Sequence, residues 1–465
     1  MSLFRSVFVV LASALVLAAC GRPAALRPPS GEPDSYLIAN ARVLDVETGA
    51  VAPGQYVYVE SGRIMHVAAT PPDAVAPRTQ TIDVSGAFVL PGLIDMHVHV
   101  LDEADLAANL AYGVTTIRNL GGMPFHLPMA RQIEQGRLLG PRLVTTGAIL
   151  NERDGRNTNE LQTLVAGGER ARAAVRRQYQ AGYRDLKVYS NLSRESLAAI
   201  LDEAARLGMT VSGHPVEGTE TDPLEMADTL AGQFTTIEHA ESIVWFGLND
   251  ETDPVRARAL AQEMGAAGAR VSPTLIVHQN LARIVETRGA HVGRPEMQSF
   301  SPVMQGFEQA NYDYWASYPH DDRTRMQAFY VEMTGYMHAA GVELVVGTDA
   351  GVMVTPHGVS VSEEIELLVS AGLTPLEALQ AATVNSADAL GLADRIGRVS
   401  VGYASDLLIV AGNPLDDLSE LRRPLGVMRA DRWLDEGDLA ALRAASANPA
   451  EFRTWRRVIG HVLTR

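Results

Sequence analysis

From Ala87 onward, short apolar, β-branched runs alternate with helical patterns. The runs are "FVLPGLIDMH" (88–97), "VTTIRNL" (114–120), "PRLVTTGAIL" (141–150), "RDLKVYS" (184–190), "MTVSGH" (209–214), "FTTIEHA" (234–240), "RVSPTLIV" (270–277) and "ELVVGTDA" (343–350). In "SRESLAAILDEAARLG" (193–208), Leu197, Ile200, Leu201, Ala204 and Leu207 fall on one helical stripe, and Gly208 suits the stop. Thr374, Pro375 and Glu377 supply an N-cap, a first-turn proline and a capping-box partner for "TPLEALQAA". Eight strand–helix units predict an α/β fold, a parallel (β/α)8 TIM-like barrel over residues 87–394. An open doubly wound sheet is the competitor, and the strand count favours closure.

The flanks have a different period. "YLIANARVLD", "QYVYVESGRIMHVA" and "TQTIDVSG" alternate like strands within 35–86, and "SDLLIVAG" and "LGVMRADRWL" do so within 395–435. Together they predict one small β-sandwich built from both ends of the chain. Residues 436–465 read as a helical tail, basic toward its end, with no chemistry assigned.

The first twenty residues stand apart. Arg5 precedes an apolar stretch from Val7 to Ala19 that is short for a membrane span, and the segment ends in "LAAC". This resembles a lipobox, cleaved after residue 19 so that Cys20 carries the lipids; an ordinary secretory signal is the alternative. Cys20 is the single cysteine of the chain, so the mature body has no disulfide to form outside the cytoplasm. Residues 20–34, rich in proline and small side chains, read as a tether. Gly21 in place of aspartate points to the outer membrane, facing the periplasm, by resemblance to lipoprotein sorting. The formal charge of −16 argues against a nucleic-acid partner, which needs a basic face.

In a barrel the chemistry belongs at the C-terminal strand ends. His97 and His99 close the first run, Lys187 the fourth, His214 the fifth, His239 the sixth and Asp349 the eighth. Taken singly, each has a structural reading: a bonded histidine, a snorkelling lysine, a helix cap. Six such residues on one rim point instead to a divalent ion such as Zn²⁺, held by imidazoles and carboxylates. Lys187, between Leu186 and Val188, is costly to bury as an ammonium. As a neutral amine it can take up CO2, and the resulting carbamate can bridge two metal ions.

These residues resemble the amidohydrolase superfamily, in the branch of imidazolonepropionase-like enzymes and metal-dependent Xaa-Pro (prolidase-like) dipeptidases. The motifs are "VLPGLIDMHVH", "YGVTTIRNLGG", "GPRLVTTG", "DLKVYS", "SGH", "TIEHAES", "GTDAG" and "GLTPLEALQAATVNSADALGL", spread from about Tyr36 to Leu434. The resemblance implies that His97, His99, Lys187 and Asp349 hold one ion, and Lys187 as carbamate, His214 and His239 the other. It implies water activated between two cations, with Asp349 as general base and then general acid. Asn119 in "RNLGG" stands where relatives commonly carry aspartate, and "VGYASDLLI" and "RADRW" also depart from the family pattern.

Tyr189 and His278 are candidates to donate to a developing oxyanion. His357 in "TPHGVS" reads as a loop-ordering residue, and His66, His126, His291, His320, His338 and His461 as surface or structural. A long region, 278–322, is expected between the seventh strand and its helix, with Phe300, Phe307, Tyr312, Tyr314, Trp315 and Tyr318. It is a lid over an apolar substrate group, or else a subunit contact in a homo-oligomer or a helical hairpin with its own core. The expected reaction is cleavage of an amide bond in a small molecule such as a dipeptide or N-acyl amino acid. The alternatives are a lactone, cyclic amide, carbamate or phosphotriester at the same site, or a lipid-anchored binding protein on an inert fold. Cys20→Ser is expected to move the chain from the membrane fraction to the soluble one; unchanged membrane association would dismiss the lipobox.

Overall fold

The computed structural model describes residues 24–27, 33, 35–153, 161–300, 302–317 and 319–463. The signal sequence and Cys20 lie outside the described residues. Eight parallel strands follow in chain order: β1 (Leu93–Val98), β2 (Val114–Asn119), β3 (Arg142–Thr145), β4 (Asp185–Val188), β5 (Thr210–Gly213), β6 (Ile237–Glu238), β7 (Arg270–Ser272) and β8 (Glu343–Leu344). One sheet has the order β1–β2–β3. The other runs β4–β5–β6–β7–β8, with the short strands Leu150–Asn151 and Thr163–Leu164 beyond β4. Parallel bridges join Val98 to Ala350 and Thr146 to Asp185, linking the edges of the two sheets. Backbone bonds from Met96 N to Val346 O (2.8 Å) and from Asp349 N to His97 O (2.7 Å) tie β1 to the segment after β8.

The helices form where the periodicity places them. Helix Arg194–Leu207 starts at Ser193, whose hydroxyl accepts from Ser196 N, and stops at Gly208, which takes φ 64°. Its Leu197, Ile200 and Ala204 are buried, with Leu201 and Leu207 half-buried against the same core. The capping box at Thr374 forms with Glu377 as read.

Three runs divide differently from expectation. Residues 88–91 do not open β1: Phe88–Pro91 pairs with Leu407–Val410 and with Arg42 and Val43 of the flanks. The chain breaks at Gly92, where a Cβ would lie 2.2 Å from the Thr115 hydroxyl, so only glycine permits the crossing to β1. The third run, 141–150, splits into β3 and Leu150–Asn151. The seventh run ends at Ser272, and Leu275–Thr287 is a helix. Its Leu275, Ile276 and Val277 are buried, and a short buried apolar run has the same composition in a strand or a helix.

His278 therefore sits in the first turns of that helix and not at a strand end. The region 278–322 is likewise not a loop ahead of the helix. It comprises the rest of that helix, 3-10 turns at Ala290–Gly293 and Pro295–Ser299, helix Pro302–Ser317 and the start of helix His320–Ala339. Phe300, Tyr312 and Trp315 pack into a separate apolar cluster with Val277, Leu281, Ile284 and Met297, whereas Tyr314 is exposed. The side chains of Phe307 and Tyr318 lie outside the described residues.

The flanks meet in one mixed eight-stranded sheet with its own apolar core, including Ile38, Val57, Ile64, Val89, Ile409 and Met428. Within the expected tether, Leu26 is fully buried and its carbonyl accepts from Leu139 N at 3.2 Å. The tail forms helices Glu436–Ser446 and Glu451–Leu463. Arg453 pairs with Asp102 (3.0 Å) and Glu103 (2.7 Å), and Arg457 with Glu103 (2.9 Å), which clamps the tail beside the end of β1. Among the described residues no helix is long and apolar enough to cross a membrane.

Candidate metal centre and active site

The strand ends bring five of the six expected ligands into a contiguous group, and His214 extends it. His97 lies in β1 and His99 one residue past it; Lys187 lies in β4; His214 and His239 follow β5 and β6 directly. The Asp349 carboxylate lies 2.8 Å from His99 Nε2 and 3.2 Å from His97 Nε2. Lys187 Nζ lies 3.1 Å from His97 Nε2. The His239 ring centroid is 4.7 Å from that of His97 and 4.4 Å from that of His214. Ligating atoms of His97, His239 and Asp349 all fall within 4.8 Å of one another.

Two of these residues sit on left-handed backbone, His239 at φ 71° and Asp349 at φ 57°. Side chains with a Cβ rarely take that region, so the surrounding contacts must hold it. Gly347 serves the same packing: a Cβ there would meet Ser272 Oγ at 2.2 Å and His97 Cβ at 2.9 Å.

Beneath the cluster lies a polar layer that strand-end reasoning does not reach. Glu238 accepts from His97 Nδ1 at 2.8 Å and pairs with Arg118 at 2.8 Å; both side chains are buried. Arg118 also donates to Met96 O (2.8 Å), Ser212 Oγ (3.0 Å) and Thr236 Oγ1 (2.6 Å), joining β1, β2, β5 and β6. Strict alternation would put Glu238 and His239 on opposite faces; the left-handed turn at His239 breaks it and both face His97. The signal was present in "TIEHAES", a carboxylate beside a candidate ligand. Asp95, also buried, accepts from His97 N (3.1 Å) and Thr348 Oγ1 (2.6 Å), and burial pushes its carboxyl up to about 7. Asn119, the departure in "RNLGG", accepts from Val100 N (2.8 Å) and holds the chain after His99. His126, read as surface or structural, is buried and structural: it bonds Met123 N and Val100 O.

The electrostatics suit cation ligands. Burial, then the Lys187 charge, hold His97 well below its ordinary value; burial and His239 do so for His214. Burial pulls His239 down to about 3. These imidazoles are neutral, the form that ligates. Burial also lowers Lys187 to about 8, so its amine has a neutral fraction near neutrality. Burial works to raise Asp349, but the bond from His99 and nearby positive charge outweigh it and keep the carboxylate ionised. His214 Nδ1 is buried with no hydrogen-bond partner, an orphan that coordination would satisfy. The residues present fit a divalent metal centre.

Tyr189 stacks on His214 with ring centroids 4.0 Å apart, and burial raises its phenol, which stays protonated. His278 Nδ1 accepts from Arg323, whose guanidinium also lies 4.6 Å from the Trp315 ring. A cleft of about 520 Å³ at the opposite ends of the strands, lined by Asp185, Thr210, Arg270 and Asp388, holds none of these groups.

Comparison with known proteins agrees with this geometry. The amidohydrolase family profile matches residues 88–434. The solved structure of a bottromycin amidohydrolase superposes with a TM-score of 0.76 at 27% identity, covering 92% of this chain and 95% of that one. A candidate prolidase from Bifidobacterium longum superposes with a TM-score of 0.67 at 25% identity, covering 90% and 100%. Imidazolonepropionase from Symbiobacterium thermophilum is 25% identical over 406 residues, 79% of this chain and 86% of that protein. The chain belongs to the amidohydrolase family and is a hydrolase acting on carbon–nitrogen bonds.

Proposed function

We propose that the chain is a binuclear metal-dependent hydrolase that cleaves a non-cyclic amide bond in a small molecule such as a dipeptide or N-acyl amino acid. The observation that carries this reading is the cluster itself, with Asp349 between two histidines and Lys187 Nζ 3.1 Å from His97. His97, His99, Lys187 and Asp349 would hold one ion, and Lys187 (as carbamate), His214 and His239 the other, most readily Zn²⁺. The chemistry two such ions supply when bound is Lewis acidity and a lowered pKa for water.

The chain's own residues handle protons and position. Asp349, ionised and fixed by His99, accepts a proton from water and returns it to the leaving amine nitrogen. Tyr189, kept as a phenol beside His214, would donate to the acyl oxygen. Arg323 donates to His278 Nδ1, which leaves the proton of the neutral ring on Nε2, so His278 is a second donor candidate. The names prolidase and amidohydrolase among the similar structures support an amide substrate. The similarity to imidazolonepropionase, whose name denotes a cyclic substrate, supports a cyclic amide as the second reading. The reading also takes the two bridged parallel sheets as one closed (β/α)8 barrel over 87–394, with the flanks as its β-sandwich. It retains the lipid anchor at Cys20 in the outer membrane on sequence grounds alone.

Asp349→Asn is expected to keep most bound metal while kcat falls by about 10³-fold or more; near-normal turnover would remove Asp349 from its role. A panel of dipeptides, N-acyl amino acids, cyclic amides, lactones and phosphotriesters on metal-loaded protein should show turnover of the first two; turnover confined to the others would overturn the substrate class. Lys187→Met tests the buried amine. Below about pH 8 both folded and unfolded chains carry the Lys187 proton, and burying it costs the metal-free fold on the order of 3 kcal/mol, a cost that fades as pH rises from about 8 to 10.5. Metal-stripped Lys187→Met should therefore resist urea better than metal-stripped wild type at pH 7, lose that advantage above pH 10, and bind less metal. Lower stability at pH 7 would contradict the cost assigned to the ammonium.

A further inference from the structure

The turn between β7 and helix Leu275–Thr287 carries an exchange of hydrogen-bonding duties. Thr274 occupies the N-cap position, where a threonine hydroxyl ordinarily accepts from the second or third amide of the helix. Here it makes no such bond. Its Oγ1 lies 2.8 Å from His239 Nδ1, and the residue is held at φ 49°, ψ 42°, a conformation that β-branched side chains avoid. Leu275 and Ile276, the first two residues of the helix, are fully buried, so their amides would be orphaned without an acceptor. Glu364 supplies one. From helix Val359–Ser370, beyond Asp349, its carboxyl accepts from Leu275 N at 2.9 Å and from Ile276 N at 2.7 Å, one oxygen for each. Glu364 is itself fully buried.

We infer that Glu364 is a positioning residue for the metal centre: by capping the helix after β7 it frees the Thr274 hydroxyl to fix the ring of His239. A neutral His239 that ligates through Nε2 carries its proton on Nδ1, and Thr274 Oγ1 is the acceptor that selects that tautomer and ring angle. His97 has the corresponding partner in Glu238. The His239 position thus depends on a carboxyl group carried by the helix that follows β8. The inference rests on the reading of His239 as a ligand.

Metal affinity, measured by competition with a chromophoric chelator, tests it without recourse to turnover. Thr274→Val keeps the shape and removes the hydroxyl; it should weaken the second equivalent of zinc by about 10- to 100-fold. Thr274→Ser should stay within about 3-fold of wild type. Glu364→Gln should reproduce the Thr274→Val loss, and the double variant should lose no more than either single one, because both act through the same ring. A Glu364→Gln protein that is less stable to urea but binds both ions as tightly as wild type, or losses that multiply in the double variant, would overturn the inference. Should Glu364→Gln fail to fold, equal zinc affinity in Thr274→Val and Thr274→Ser would overturn it by itself. Wild-type protein that binds no second zinc would instead defeat the binuclear reading on which it rests.

Discussion

The constraint on which the rest depends is the burial of an amine. Lys187 is 1% exposed, and its Nζ faces an imidazole nitrogen of His97 at 3.1 Å in place of a carboxylate. A permanent ammonium there meets a burial penalty and a crowd of ring nitrogens, and the nearest carboxylates are already engaged: Asp349 with His99 and His97, Glu238 with His97 and Arg118. On the reading proposed above, conversion to an anionic group that shares cations with the imidazoles would reverse the sign of each of those interactions at once. The polar layer below fixes the residues around the amine. Arg118 and Glu238 fix His97 from beneath, Asp95 ties its backbone to Thr348, and the left-handed turns at His239 and Asp349 aim both side chains inward.

Rigidity and openness divide along the same axis. His97, Lys187 and His239 are buried, whereas His99, His214, Tyr189 and His278 are half-buried and form the accessible side. Arg323 reaches that side at His278, Phe300 lines a small cavity with His99, and the tail helix is clamped by Arg453 and Arg457 beside the end of β1.

That the six polar residues would gather was legible because a barrel brings its C-terminal strand ends to one rim, and strand ends can be read from apolar runs. The hydrogen-bond partners of those residues were not. Glu238 lies next to His239, and only a backbone turn with φ 71° brings both to one side, which no alternation rule foresees. Thr274 and Glu364 are 90 positions apart and meet through tertiary packing alone. The run 270–277 misled because Leu275, Ile276 and Val277 are apolar, the last two β-branched, yet buried in a helix whose cap comes from elsewhere. Residues 88–91 misled because Gly92, a single small residue, lets one apolar stretch serve two sheets.

Electron density at Lys187 tests the central claim most directly. Crystals of protein loaded with zinc in bicarbonate, measured at the zinc absorption edge, should show two anomalous peaks bridged by density extending past Nζ as a planar three-atom group. An unextended lysine side chain beside one peak, or beside none, would contradict the account.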